Sequence, residues 1–219
     1  MTPNALAALA TLAAILFAPA DVRAQAAGTP GDFDFYVLSL SWSSSYCAKT
    51  GDARNDTQCS LPLGFVVHGL WPQYDRGYPN NCHAGFDRPS VGLARRQLDL
   101  FPSIGLVLHE WQVHGTCSGL APDAYFDAAR LARKLVAIPD PFQAPTRLEI
   151  MTTSEIERTF LAANPGLGAD EIAIKCDDKS LSEVEICLAK DLTGFVTCPE
   201  VDRRGCSRSV QIPPIRSRH

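Results

Sequence analysis

The chain has 219 residues, of which 46% are hydrophobic and 20% charged. That balance excludes a disordered or fibrous protein and leaves enough apolar side chains for a sizeable core. The formal net charge is -4, which excludes a broad cationic field, so a polyanionic partner must be met by a few positive groups gathered in a cleft.

The first element is a leader. Ala5 to Ala20 is almost unbroken small and apolar, and Ala24, Gln25 and Ala26 supply the small-x-small pattern that a signal peptidase cuts, although no Lys or Arg precedes the apolar run. The run is too short to span a bilayer comfortably. Residues 1–26 are therefore expected to be a signal peptide, and residues 27–219 a single domain without a membrane segment, periplasmic or secreted. Asp21 and Arg23 leave together, so the mature chain keeps its net charge. Eight cysteines, Cys47, Cys59, Cys82, Cys117, Cys176, Cys187, Cys198 and Cys206, form an even set with no CxxC pair. In an exported chain that favours disulfides over a zinc cluster.

Phe33 to Trp42 follows a strand pattern, with Phe33, Phe35, Val37, Ser39 and Ser41 on one parity and Tyr36, Leu38, Leu40 and Trp42 on the other. A polar, cysteine-bounded loop runs from Cys47 to Cys59. Gly64 to Leu70 is a second strand candidate, favoured by the β-branched Val66 and Val67. Ser103 to Val113 reads as a helix with Pro102 before it, Ser103 as N-cap and Gly115 as the stop. Asp123 to Val136 is a stronger helix candidate, with Tyr125, Phe126, Ala129, Leu131 and Leu135 near helical spacing. A third helix is expected over Ser154 to Ala163, where Ser154 and Glu157 have capping-box spacing. Glu171 to Cys176 and Glu183 to Leu188 read as strands joined by a turn at Asp177 to Ser180, with Gly194 to Thr197 as a short third. The Arg-rich tail after Cys206 is broken by prolines. No βαβ rhythm appears, so the expected class is α+β, a mostly antiparallel central sheet with flanking helices.

Histidine is scarce and clustered. Three of the five histidines lie in FVVHGLWPQ (Phe65 to Gln73) and HEWQVHGTCSG (His109 to Gly119); His83 and His219 read as solvated side chains. The second segment invites comparison with the zinc-protease HExxH helix, which needs histidines at i and i+4, about 40° apart around the helix. His109 and His114 are five apart, about 140°, and Val113 holds the i+4 position. No metal site is expected.

Both segments resemble the two active-site signatures of the T2-type ribonuclease family, HGLWP and HEW-x-K-HGTC. His68, Gly69, Leu70, Trp71 and Pro72 match the first without a gap. His109, Glu110, Trp111, His114, Gly115, Thr116 and Cys117 match the second at all but one assigned position. Phe33 to Cys47 also resembles the family's opening strand, and the spacing of Cys187, Cys198 and Cys206 resembles that of plant members. The resemblance implies disulfides Cys82–Cys117, Cys187–Cys198 and Cys176–Cys206, which leaves Cys47 with Cys59.

It also implies a chemistry that requires neither metal nor cofactor. Attack of a ribose 2′-OH on the adjacent phosphorus needs a base, an acid for the leaving 5′-oxygen, and donors for charge developing on the phosphate. Imidazoles near neutrality fill both proton roles at mildly acidic pH. By resemblance His114 is the base, His68 the acid, and His109 and Glu110 bind or polarise the phosphate, with a 2′,3′-cyclic phosphate as first product. The 2′-OH requirement makes RNA, not DNA, the expected substrate; the expected partner is single-stranded RNA and the expected state a monomer. Trp71 is assigned to substrate binding, stacking on a base or guiding its histidine, with core packing as the alternative. Trp111, Trp42 and Phe65 are expected in the core, and Thr116 and Cys117 to fix their loop.

One position departs from the pattern. The family has Lys where this chain has Val113, and loss of one phosphate donor typically costs about 10²- to 10³-fold in rate, unless Lys49, Arg76, Arg88 or another cation replaces it. The alternative is a catalytically weak relative that binds RNA or a protein partner. The complete His68, His109, Glu110 and His114 set favours the enzyme.

Overall fold

The computed structural model describes residues 28–83 and 85–217, so the expected signal peptide and His219 lie outside the described residues. Among the described residues six strands and six α-helices follow one another: β1 (Phe35–Trp42), α1 (Ser43–Tyr46), β2 (Phe65–Gln73), α2 (Val91–Arg95), α3 (Ile104–Val113), α4 (Pro122–Leu135), β3 (Glu149–Thr152), α5 (Thr153–Ala163), β4 (Ile172–Asp177), β5 (Ser180–Ala189), α6 (Pro199–Arg203) and β6 (Ser209–Ile212). The class is α+β as expected. Four strands run antiparallel in the order β2, β1, β5, β4, while β6 meets the start of β5 through a single parallel bridge, Ser180 to Gln211, and carries β3 on its far side.

Strand β1 is central and buried on both faces, which is why it is apolar on both parities. Leu38, Leu40 and Trp42 face the main core with Val184, Ile186, Ile172 and Ile174. The opposite face carries Val37, Ser39 and Ser41 opposite Cys187, Glu185 and Glu183 of β5. This polar-edged face forms the floor of the candidate site.

Helix α3 starts at Ser103, whose hydroxyl accepts from the Leu106 backbone N–H, and ends at Val113 with His114 as its C-cap. Its buried side chains are Val107, Glu110 and Trp111. Helix α4 opens on Pro122 and buries Tyr125, Phe126, Ala129 and Ala132. Leu131, one of the residues near helical spacing, is exposed, and Ala132 is the buried neighbour.

Helix α5 is capped two residues earlier than its sequence predicts. Thr152, not Ser154, is the N-cap, and Glu155, not Glu157, closes the capping box. Both pairs have the required spacing, and the preceding strand β3, absent from the sequence reading, decides between them by ending at Thr152. Gly194–Thr197 forms only an isolated bridge between Phe195 and Leu188. The proline-broken tail nevertheless contains β6. The cysteine-bounded stretch 47–59 contains short helical turns rather than an open loop. All eight cysteines are paired: Cys47–Cys59, Cys82–Cys117, Cys176–Cys206 and Cys187–Cys198.

Candidate active site

A β-bulge in β2 positions the first histidine. Ser39 pairs with Gly69 and Leu40 with Val67, so His68 is the extra residue between them. A bulge re-aims a side chain that regular alternation would send elsewhere. Val67 and Leu70 stay in the core on either side, while His68 lines one cavity of the cleft and Trp71 another.

His68 stands between two carboxylates. Its Nδ1 lies 2.7 Å from Glu183 Oε1 and its Nε2 lies 3.6 Å from Glu110 Oε1. The first is a hydrogen bond; the second is too long for one, which leaves Nε2 available to a substrate. Glu183 is itself held, accepting from the Ser39 hydroxyl at 3.0 Å and the Ser41 hydroxyl at 3.1 Å. Burial opposes charge on His68, but the bonded Glu183 carboxylate, with Glu110 and Glu185, outweighs it and raises the imidazole pKa. Burial also pushes Glu183 upward, yet the bonds from His68, Ser39 and Ser41 bring it below its ordinary value.

Glu110 projects from α3 and is only 1% exposed. Its Oε2 accepts the Trp71 indole N–H at 2.8 Å. Burial pushes its pKa up to about 7 against the opposing pull of His68 and the indole. The Trp71 ring stacks on His114 at a centroid distance of 5.2 Å and meets His68 edge-on at 5.3 Å. Trp71 therefore spaces the two histidines and orients both.

His114 is in the opposite electrostatic state to His68. Burial first, then the nearby His68 and His109, lower its pKa to about 3. Its Nδ1 is buried without a hydrogen-bond partner among the described residues, as suits a neutral ring. His109 is exposed on α3. The remaining expectations divide cleanly: Trp111 packs on Tyr125 in the core, Thr116 donates to the Gln112 carbonyl, and Cys117 ties this corner to Cys82. His83 is exposed.

Two glycines in the motifs have a steric reason. A Cβ on Gly69 would collide with both the Glu110 carboxylate and the Trp71 indole, and a Cβ on Gly115 would run into Trp111 and Tyr125.

A cavity of about 470 Å³ opens beside His68 and Glu183, bordered by Ser41, Tyr46, Lys49 and Asp177. A second, of about 390 Å³, opens on the His114 side, lined by Trp71, Val113, His114, Lys175, Glu185 and Arg204 among others. The histidine cluster lies between them. Of the cations considered from sequence, Lys49 lines the first cavity paired with Asp177, while Arg76 and Arg88 are exposed and line neither.

The sequence reading missed Glu183. The available signal was the acidic alternation Glu183 and Glu185 within an otherwise apolar strand, facing the two serines of β1.

Comparison with known proteins agrees with this arrangement. The model of the Ribonuclease T2 family matches residues 33–198. The chain belongs to that family. It is thus an endoribonuclease acting on RNA. A ribonuclease from Aeromonas hydrophila is 36% identical over 184 residues, covering 80% of this chain and 81% of that protein. RNase NT, solved in complex with 5′-AMP, superimposes with a TM-score of 0.56 at 28% identity, covering 84% of this chain and 99% of its own. An RNase-related protein from Calystegia sepium shares the fold with a TM-score of 0.64 at 21% identity, covering 84% of this chain and 98% of its own.

Proposed function

We propose that this T2 ribonuclease cleaves single-stranded RNA without a metal, using histidines for both proton transfers. The observation that carries the reading is the placement of two histidines on either side of Trp71, His68 edge-on to the indole and bonded through Nδ1 to Glu183, His114 stacked on the indole; these surroundings push the two proton affinities apart, His68 up and His114 down. Two imidazoles with separated pKa values are already divided into an acid and a base at mildly acidic pH.

In the first step neutral His114 takes the proton of the ribose 2′-OH while its oxygen attacks phosphorus. The bond from phosphorus to the 5′-oxygen breaks, and protonated His68 donates from Nε2 to that oxygen. The product ends are a 2′,3′-cyclic phosphate and a 5′-hydroxyl. Glu110, neutral below its pKa of about 7, gives a hydrogen bond to a non-bridging oxygen without repelling it, and His109, exposed on α3, binds or polarises the phosphate. Trp71 holds His114 and Glu110 in position while offering aromatic surface along the second cavity.

We also propose that residues 1–26 direct export and are removed, and that residues 27–219 act as a monomeric domain in the periplasm or outside the cell. The four disulfides suit such an oxidising compartment. Digestion of a defined oligoribonucleotide in excess EDTA, with products resolved by mass, tests the chemistry. Cyclic phosphate ends are expected; activity abolished by EDTA and restored by zinc, or tight RNA binding without turnover, overturns it.

A further inference from the structure

We infer that Lys175 supplies the phosphate-stabilising charge that position 113 lacks, reaching from β4 into the cavity that Val113 borders on α3. This inference rests on the functional reading above.

The cavity of about 390 Å³ brings Val113, His114, Trp71, Lys175 and Glu185 onto one surface. Lys175 belongs to the cleft face of the sheet. It pairs in register with Glu183, the residue that holds His68. Its Nζ donates to the Arg204 carbonyl at 3.1 Å and lies 3.5 Å from Glu185 Oε2. An ammonium has three N–H donors, so these two contacts leave one for a phosphate oxygen. The side chain is 24% exposed, sheltered enough for its charge to act strongly yet open to a ligand. Arg204 lines the same cavity, but its guanidinium is paired with Glu200.

Val113 is complementary to this arrangement. A lysine there would bring a second ammonium to the same cavity, whereas the short apolar side chain leaves room for Lys175. The positive group is thus moved from the helix end to the sheet, with Glu185 balancing it when no substrate is bound.

The test measures cleavage of a defined oligoribonucleotide by the full mature chain as wild type, Lys175→Met, Val113→Lys, the two combined, and Lys175→Met with Glu185→Gln, each with a melting curve. Lys175→Met is expected to lower kcat about 10²-fold with a smaller change in KM, as for loss of one transition-state donor. Val113→Lys is expected to restore much of that loss in the Lys175→Met background and to gain far less in the wild type. Glu185→Gln is expected to leave the Lys175→Met protein slow. Undiminished cleavage by folded Lys175→Met, equal gains from Val113→Lys in both backgrounds, or rescue by Glu185→Gln, which would make Lys175 only a counter-ion, each overturns the inference. Should Lys175→Met fail to fold, Lys175→Gln carries the same comparisons. A wild type without turnover overturns the functional reading itself, and an active wild type with an unimpaired lysine variant overturns the inference alone.

Discussion

His68 acquires its chemistry from a residue 115 positions away, the Glu183 carboxylate on its Nδ1. A histidine followed by Gly-Leu-Trp-Pro carries no trace of that partner, because strand pairing through β1 creates the contact. Glu183→Gln removes the charge while keeping an oxygen for the hydrogen bond, so the His68 pKa should fall. In the proposed role of acid His68 must be protonated, so the alkaline limb of the kcat/KM profile should move to lower pH, whereas a purely structural loss would lower the whole curve without moving it. Gly69 permits a second test. Any side chain there displaces Glu110 and Trp71 together, and misplacement of such groups by about 1 Å can cost roughly 10²-fold. Gly69→Ala should show a loss of that order in kcat, together with a lower melting temperature.

Among the elements, the site is held by three strands, β1, β2 and β5, and by helix α3. The Cys82–Cys117 disulfide, with a sequence separation of 35, anchors the corner after α3 to the loop beyond β2, and the Asn81 N–H donates to the Val113 carbonyl beside it. Replacing both cysteines by serine should lower stability by about 3 to 4 kcal/mol in the chain-entropy model, measured by denaturant unfolding. Helix α5 supplies a sharper comparison, because two capping boxes were written into one segment and only one is formed. Thr152→Ala should cost about 1 kcal/mol, a typical cap loss. Ser154→Ala, inside the helix and exposed, should cost much less. Equal losses would show that the cap does not act as the geometry indicates.

For the molecule as a whole, burying Glu110 and His114 in one cleft couples stability to pH in two opposing senses. The Glu110 pKa is raised from 4.5 to about 7, so its contribution is fully present below 4.5 and is lost as pH rises through 7. The His114 pKa is lowered from 6.5 to about 3, so its contribution is present above 6.5 and is lost as pH falls through 3. Between 4.5 and 6.5 the two slopes offset one another. Relative to wild type, Glu110→Gln should gain stability as pH rises through that window, and His114→Asn should gain it as pH falls; melting curves across pH 3 to 8 measure both. Opposite signs would refute the assigned ionisation states. The sequence alone determined the family, the α+β class, α3 and α4, and the histidine segments, because these depend on local periodicity, capping and contiguous motifs. Tertiary structure decided the rest. Strand pairing brought Glu183 to His68, a bulge turned His68 into the cleft, the end of β3 chose the cap of α5, and packing of β4 beside the cleft set Lys175 and Val113 on one cavity. Each depends on which distant segments become neighbours, a relation that no local pattern encodes.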